Sequence, residues 1–139
     1  MTQEDKQLLL KDLCARLPYS CRAFYEYVDD LDGKTYGYSL TLNTWCINEF
    51  VANKAVIKPY LLPMSSMTEE EVTELAYKVF QQPDIDIVKR WVLENKLYPS
   101  IDGNPVMVID WLNSHHFDYR GLIEKGLAIE APEGMYETK

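Results

Sequence analysis

Cys21-Arg-Ala-Phe-Tyr-Glu-Tyr-Val-Asp-Asp-Leu-Asp-Gly-Lys-Thr-Tyr-Gly-Tyr-Ser-Leu-Thr-Leu42 is the stretch on which the fold turns. Ala23, Tyr25 and Tyr27 alternate with Arg22, Phe24, Glu26 and Val28, and Tyr36, Tyr38, Leu40 and Leu42 alternate with Gly37, Ser39 and Thr41. A period of two places each set on one side of an extended chain. Between the runs lies Asp29-Asp-Leu-Asp-Gly-Lys34, rich in turn formers. The spacing predicts a β-hairpin with Tyr25, Tyr27, Tyr36 and Tyr38 as an aromatic strip across it.

Outward from the hairpin the period changes. Upstream, Thr2 can cap a helix whose Leu10, Leu13, Cys14 and Leu17 form one face, widened by Leu8 and Leu9 and ended by Pro18. Downstream, Trp45, Ile47, Glu49 and Val51 alternate with Cys46, Asn48 and Phe50, which reads as a third strand. Ala55-Val-Ile-Lys58 reads as a fourth strand, with Pro59 placing it at an edge or ending it.

From Met67 onward the chain reads as helical. Thr68 and Glu71 hold the N-cap and N3 positions of a capping box, with Met67 and Val72 at the staple positions. Val72, Leu75, Ala76, Val79 and Phe80 give the buried face, and Gln82-Pro83 should break the helix. Asp84 or Asp86 can cap the next helix, carrying Val88, Trp91 and Val92. Residues 97–103 read as a loop. Asn104-Pro105 starts a helix with Val106, Ile109, Trp111 and Leu112. Asp118 can cap a last short helix over 119–125, with Gly126 at the left-handed C′ position and Leu127 as the apolar contact after it. Residues after Pro132 are expected to fray. The expectation is an α+β fold: an N-terminal helix, a small antiparallel sheet of about four strands, then a cluster of three to four helices. Residues 1–67 and 68–139 are expected to share one core as a single domain.

The net charge of −8 is unevenly spread. Residues 1–67 carry 7 Lys/Arg against 8 Asp/Glu, and residues 68–139 carry 7 against 14. An acidic chain repels phosphate backbones, which disfavours nucleic acid as a partner. The polar opening Met1-Thr-Gln-Glu-Asp-Lys6 lacks the pattern of an export signal, and no apolar run reaches the length of a bilayer span. Cys14, Cys21 and Cys46 are odd in number and show no C-x-x-C spacing. A cytoplasmic protein with reduced, partly buried thiols and no membrane segment is expected.

His115, His116, Asp118, Tyr119 and Arg120 are packed into six positions between two apolar runs. Two readings stay open. One is a helix joint, in which one histidine packs beneath the turn and the other caps the preceding helix. The other is a metal site of His115, His116 and Asp118 serving a hydrolase, although adjacent helical residues diverge by about a hundred degrees and H-H-x-D matches no zinc spacing. Asp30-Leu-Asp32-Gly33 resembles part of a calcium loop, but Thr41 stands where the twelfth-position acid belongs. No G-x-S-x-G, P-loop or G-x-G-x-x-G occurs. No cofactor and no catalytic residue is assigned.

Leu8–Tyr19, Ile57–Glu71 and Trp111–Pro132, which hold LLLKDLCARLPY, IKPYLLPMSSMTEEE and WLNSHHFDYRGLIEKGLAIEAP, resemble a family of short uncharacterised proteins of gut anaerobic bacteria, their prophages and mobile elements. That resemblance implies a small bacterial or phage accessory protein and carries no activity or site residue. The sequence therefore points to a non-enzymatic interaction protein with an unidentified protein partner. Its candidate surface is Tyr25, Tyr27, Tyr36 and Tyr38, with His116, Tyr119 and Arg120. The metal-assisted hydrolase and an acidic decoy against a nucleic-acid enzyme are the alternatives.

Overall fold

A computed structural model describes residues 1–81, 84–94 and 105–136. The fold is α+β, with an N-terminal helix, a four-stranded mixed sheet and several further helices. The chain divides into two compact units, Met1–Leu61 with Leu122–Lys139, and Leu62–Gly121. The expected Gln82-Pro83 break, the 97–103 loop and the Asn104 cap lie outside the described residues, as do the Phe80 side chain and residues 137–139.

The first unit begins with α1, Gln3–Arg16. Thr2 Oγ1 accepts from the Asp5 N–H at 3.0 Å while an Asp5 carboxylate oxygen accepts from the Thr2 N–H at 3.3 Å, a reciprocal capping box. A 3-10 turn at Leu17–Tyr19 holds Pro18 and ends the helix. The buried stripe is Leu9, Asp12, Leu13 and Arg16, so Cys14, expected on that face, is exposed. The face rotates because Asp12 and Arg16 are wholly buried as an ion pair of 2.8 Å, one turn apart.

Strands β1, Arg22–Val28, and β2, Thr35–Thr41, form the expected hairpin. Tyr25 lies opposite Tyr38 and Tyr27 opposite Tyr36. Gly37 is required by a close approach on the opposite face: a Cβ there would lie 2.3 Å from the tip of the Phe24 ring.

Residues Thr44–Val51, read above as a strand, form helix α2. Asn43 Oδ1 accepts from the Cys46 N–H at 2.9 Å and caps it. Cys46, Ile47 and Phe50 are its buried residues, the i, i+1, i+4 face of a helix. The alternating reading would have put Glu49 among the apolar residues, whereas the helix leaves it half-buried at the margin.

Strand β3, Ala55–Leu61, is longer than expected and runs through Pro59. The sheet order is β2-β1-β3-β4, where β4 is Ile129–Glu130, parallel to β3 and paired only at Tyr60 and Leu61. Over Ala55–Pro59, β3 is therefore bordered on one side only among the described residues, an environment that admits a residue without a donor. The sheet is mixed rather than antiparallel, and its fourth strand comes from the C-terminal segment. Leu9, Leu13, Ala23, Tyr25, Cys46, Phe50, Ile57, Leu61 and Leu122 belong to this unit's core.

That C-terminal segment is anchored by Tyr136. Its hydroxyl donates to the Tyr60 carbonyl at 2.7 Å and accepts from the Arg22 N–H at 2.8 Å, so the expected fraying does not reach Tyr136. The thiol of Cys21 lies 3.6 Å from the same hydroxyl.

In the second unit α3, Glu69–Leu75, starts at the expected capping box, with Thr68 Oγ1 accepting from Glu71 N–H at 3.1 Å and Glu71 Oε1 accepting from Thr68 N–H at 3.0 Å. A π-helical stretch, Ala76–Phe80, follows, and Gln81 ends it with a positive φ. Asp84 caps α4, Ile85–Leu93, and α5 spans Pro105–Ser114. The core holds Val72, Leu75, Val79, Val88, Val92, Val108, Trp111, Leu112 and Phe117. Val106, expected on the buried face of α5, is exposed.

The last expected helix, over 119–125, does not form; this stretch is a chain of turns. Its predicted ending does form. Gly126 sits at φ +75, its N–H donates to the Ile123 carbonyl at 3.0 Å, and the Leu127 N–H donates to the Leu122 carbonyl at 2.9 Å. That is the bonding of a Schellman motif closing a single turn, with Leu122 and Leu127 both buried. Four residues after the Gly121 bend are too few to propagate a helix past its nucleus.

Candidate functional site

The polar knot lies at the end of α5. His116 takes the left-handed conformation at φ +64. Its N–H donates to the Asn113 carbonyl at 3.1 Å, and the Phe117 N–H donates to the Leu112 carbonyl at 3.0 Å. This is again a Schellman ending, with histidine in the position that favours glycine and with Leu112 and Phe117 fully buried in one core. The chain then pairs with Leu62: the Leu62 N–H donates to the His116 carbonyl at 2.8 Å, and the Asp118 N–H donates to the Leu62 carbonyl at 2.9 Å.

His115 turns back along the helix. Its ring stacks on Trp111 at 4.0 Å and 19°, and its Nδ1 lies 3.0 Å from the Trp111 carbonyl. Nε2 is 3.8 Å from a Glu74 carboxylate oxygen, which also accepts from Trp111 Nε1 at 3.2 Å. Tyr119 Oη donates to the buried Asn113 side-chain oxygen at 3.0 Å, and Arg120 lies over the Tyr119 ring, donating to that same hydroxyl at 3.2 Å. Asp118 is buried. Among the described residues no three His, Cys, Asp or Glu side chains converge as a metal site requires. The groups at this knot tie α5 to the residues that follow it.

The tyrosine strip lies in the first unit and is longer than the sequence indicated. Tyr25 is nearly fully buried, with ring-centroid separations of 5.4 Å to Tyr38, 5.7 Å to Tyr27 and 5.2 Å to Trp45. Tyr27 lies 6.0 Å from Tyr36 and 6.4 Å from Tyr38. These are the separations at which aromatic pairs attract. Trp45 joins the ladder because α2 replaces the expected third strand; an Asn-capped helix read at Asn43 would have revealed it. Tyr36, Tyr38 and Trp45 stay 42%, 45% and 53% exposed, while Tyr25 is covered and Tyr27 half-buried. Acidic groups flank the ladder. The Asp32 carboxylate accepts from Tyr36 Oη, which holds that carboxyl below its ordinary range. Burial, and then the neighbouring Glu49, push the Tyr25 phenol up.

A cleft of about 420 Å³ opens beside Tyr27, lined in part by Lys6, Glu26, Phe50 and Asn53. Lys6 there is engaged by the Asn53 side chain and lies 5.3 Å over the Phe50 ring.

Among the described residues no helix is long and apolar enough to cross a membrane. No protein-family model, curated protein or solved structure matches the chain.

Proposed function

We propose that this chain is a non-enzymatic, cytoplasmic interaction protein that binds a protein partner through the ladder of Trp45, Tyr38 and Tyr36. The observation that carries the reading is the continuous five-ring ladder whose last three rings are exposed on one face. Aromatic side chains are enriched where proteins meet, because they bury large area at low entropic cost. A tryptophan that becomes buried at the centre of an interface contributes on the order of 2 kcal/mol. The hairpin sets Glu26, Asp29, Asp30 and Asp32 against only Arg22 and Lys34, which argues against nucleic acid on the same rings, since stacking platforms for bases sit in basic grooves.

The test is co-purification with the wild-type chain and with a Trp45→Ala/Tyr38→Ala variant from the same extract. A stoichiometric protein that is retained by the first and lost by the second is the expected result. A partner held equally by both defeats the assignment of the surface. Turnover of a small molecule, with no partner retained, defeats the class.

A further inference from the structure

We infer that the outer edge of β2 receives an extended peptide segment bearing Lys or Arg side chains, added as a further strand beside Thr35–Thr41. The inference rests on the protein-binding reading of the ladder and specifies its partner.

The first argument is hydrogen-bond phase. β2 is the outermost strand of the sheet. The Leu42 N–H donates to the Cys21 carbonyl at 2.8 Å, and the Asp29 N–H donates to the Lys34 carbonyl at 2.9 Å. In an antiparallel ladder the bonded pairs recur every second residue, so even-numbered residues of this strand bond to β1. The N–H and C=O groups of Thr35, Gly37, Ser39 and Thr41 therefore face the open side. The strand reads Thr-Tyr-Gly-Tyr-Ser-Leu-Thr, with no charge and no proline. These are the devices that usually close an edge to strand addition, and β2 has neither. A peptide added there gains main-chain bonds whatever its sequence.

The second argument is what stands beside that edge. Tyr36 and Tyr38 project from β2 itself on one face, so alternate side chains of an added strand meet their rings directly or diagonally. The hairpin turn supplies Asp29, Asp30 and Asp32 against Lys34, and Glu49 lies close enough to Tyr25 to act on its phenol. Tyrosine and tryptophan faces attract Lys and Arg, and the carboxylates around them add to that attraction. A second copy of the chain would bring the same carboxylates, Asp29, Asp30 and Asp32, to the edge, whereas a basic segment complements them.

The experiment begins with selection from a displayed library of random twelve-residue peptides against the full chain. The expected enrichment is for Lys or Arg at alternate positions among β-formers. Affinity of a synthetic enriched peptide is then measured by titration for the wild type and for Ser39→Pro, which deletes one outward N–H without taking a donor from the β1 ladder. Ser39→Ala controls for the Ser39 Oγ–Tyr60 Oη bond of 2.9 Å. Ser39→Pro should weaken binding at least tenfold, Ser39→Ala should not, and raising salt should weaken it further. Thr41→Pro repeats the test if Ser39→Pro does not fold, and amide exchange at Gly37 and Ser39 in the wild type should slow on binding. No enrichment, or enrichment of acidic or uncharged peptides, overturns the inference. Full binding by Ser39→Pro with loss in Trp45→Ala removes the edge and leaves the ladder surface standing; full binding by both removes both. Self-association in sedimentation that Ser39→Pro abolishes makes a second copy the occupant and overturns the basic peptide.

Discussion

Replacing His116 by glycine should stabilise the second unit, and the size of the gain follows from one torsion angle. His116 holds φ +64 at the C′ position of α5. An L-residue there costs about 1–2 kcal/mol relative to glycine. Glycine gives back part of that gain, roughly 0.4–1 kcal/mol, by loosening the unfolded chain. The net expectation for His116→Gly is a gain of about 0.5–1 kcal/mol. Gly126 supplies the mirror experiment, since it holds the same position at φ +75 and nothing lies within 4 Å of the Cβ that alanine would add. Gly126→Ala should therefore cost about 1 kcal/mol through torsion alone. Because the two positions lie in different units, each effect is read by urea-dependent amide exchange at core positions of its own unit, Val88 and Leu112 for one, Tyr25 and Ile57 for the other. A loss of more than about 1 kcal/mol in His116→Gly refutes the reasoning, because the imidazole would then hold more than the strain costs. A stability gain accompanied by lost partner binding would instead place His116 in the binding surface.

Thr68→Ala removes the reciprocal cap of α3 and should cost about 1 kcal/mol, seen as faster exchange of the first-turn amides. Tyr136→Phe strands the Arg22 N–H and frees the Tyr60 carbonyl, which should cost about 1–3 kcal/mol and raise protease sensitivity of the C-terminal segment. Burial, first of all, pushes the Tyr136 phenol well above its ordinary range and the Cys21 thiol upward as well. Both are acids whose neutral form the fold prefers, so their stabilisation is present below the ordinary thiol and phenol range and is lost as pH climbs through it. Alkaline unfolding of the first unit should accordingly begin above about pH 9, and Tyr136→Phe should flatten its upper part. Cys14 is exposed while Cys21 and Cys46 are buried, so iodoacetamide on the folded chain should label Cys14 first by mass spectrometry.

The parts of the fold set by neighbouring residues were legible in the sequence. Thr68 and Glu71 sit three apart and bond to each other, so the capping box could be read from two letters. The tyrosine registers followed from a period of two and one turn. Where two periods compete over a short run, the sequence misled. Thr44–Val51 offers both an alternating and a helical pattern, and Asn43 decides it by capping. The Asp12–Arg16 pair rotates the buried face of α1, because a residue-type scale assigns charges to water and cannot see that two of them satisfy each other. Strand β4 is two residues long and pairs with a strand far away in sequence, so no local signal marks it. The density of polar residues at the knot could be read from the sequence, but how they are held depends on a φ angle and on Leu62, neither of which composition encodes.

The knot and the ladder distinguish two ways in which dense polar or aromatic sequence is used. At the knot, His115 is engaged by Trp111 and Glu74, Tyr119 by Asn113, and Arg120 by Tyr119. A reacting or binding group has to keep some of its bonding capacity for a ligand, and these bonds already draw on it to fix the end of one helix. At the ladder, Tyr25 gives its whole ring to the core, but its cross-strand partner Tyr38 keeps nearly half its surface. The strip serves the sheet through its cross-strand ring pairs, and it also leaves apolar surface in water beyond what those pairs cover. The surplus lies at Tyr36, Tyr38 and Trp45, beside an edge strand that carries no charge of its own. On the proposed reading, an extended partner covers the exposed rings and the outward main-chain groups of β2 at once.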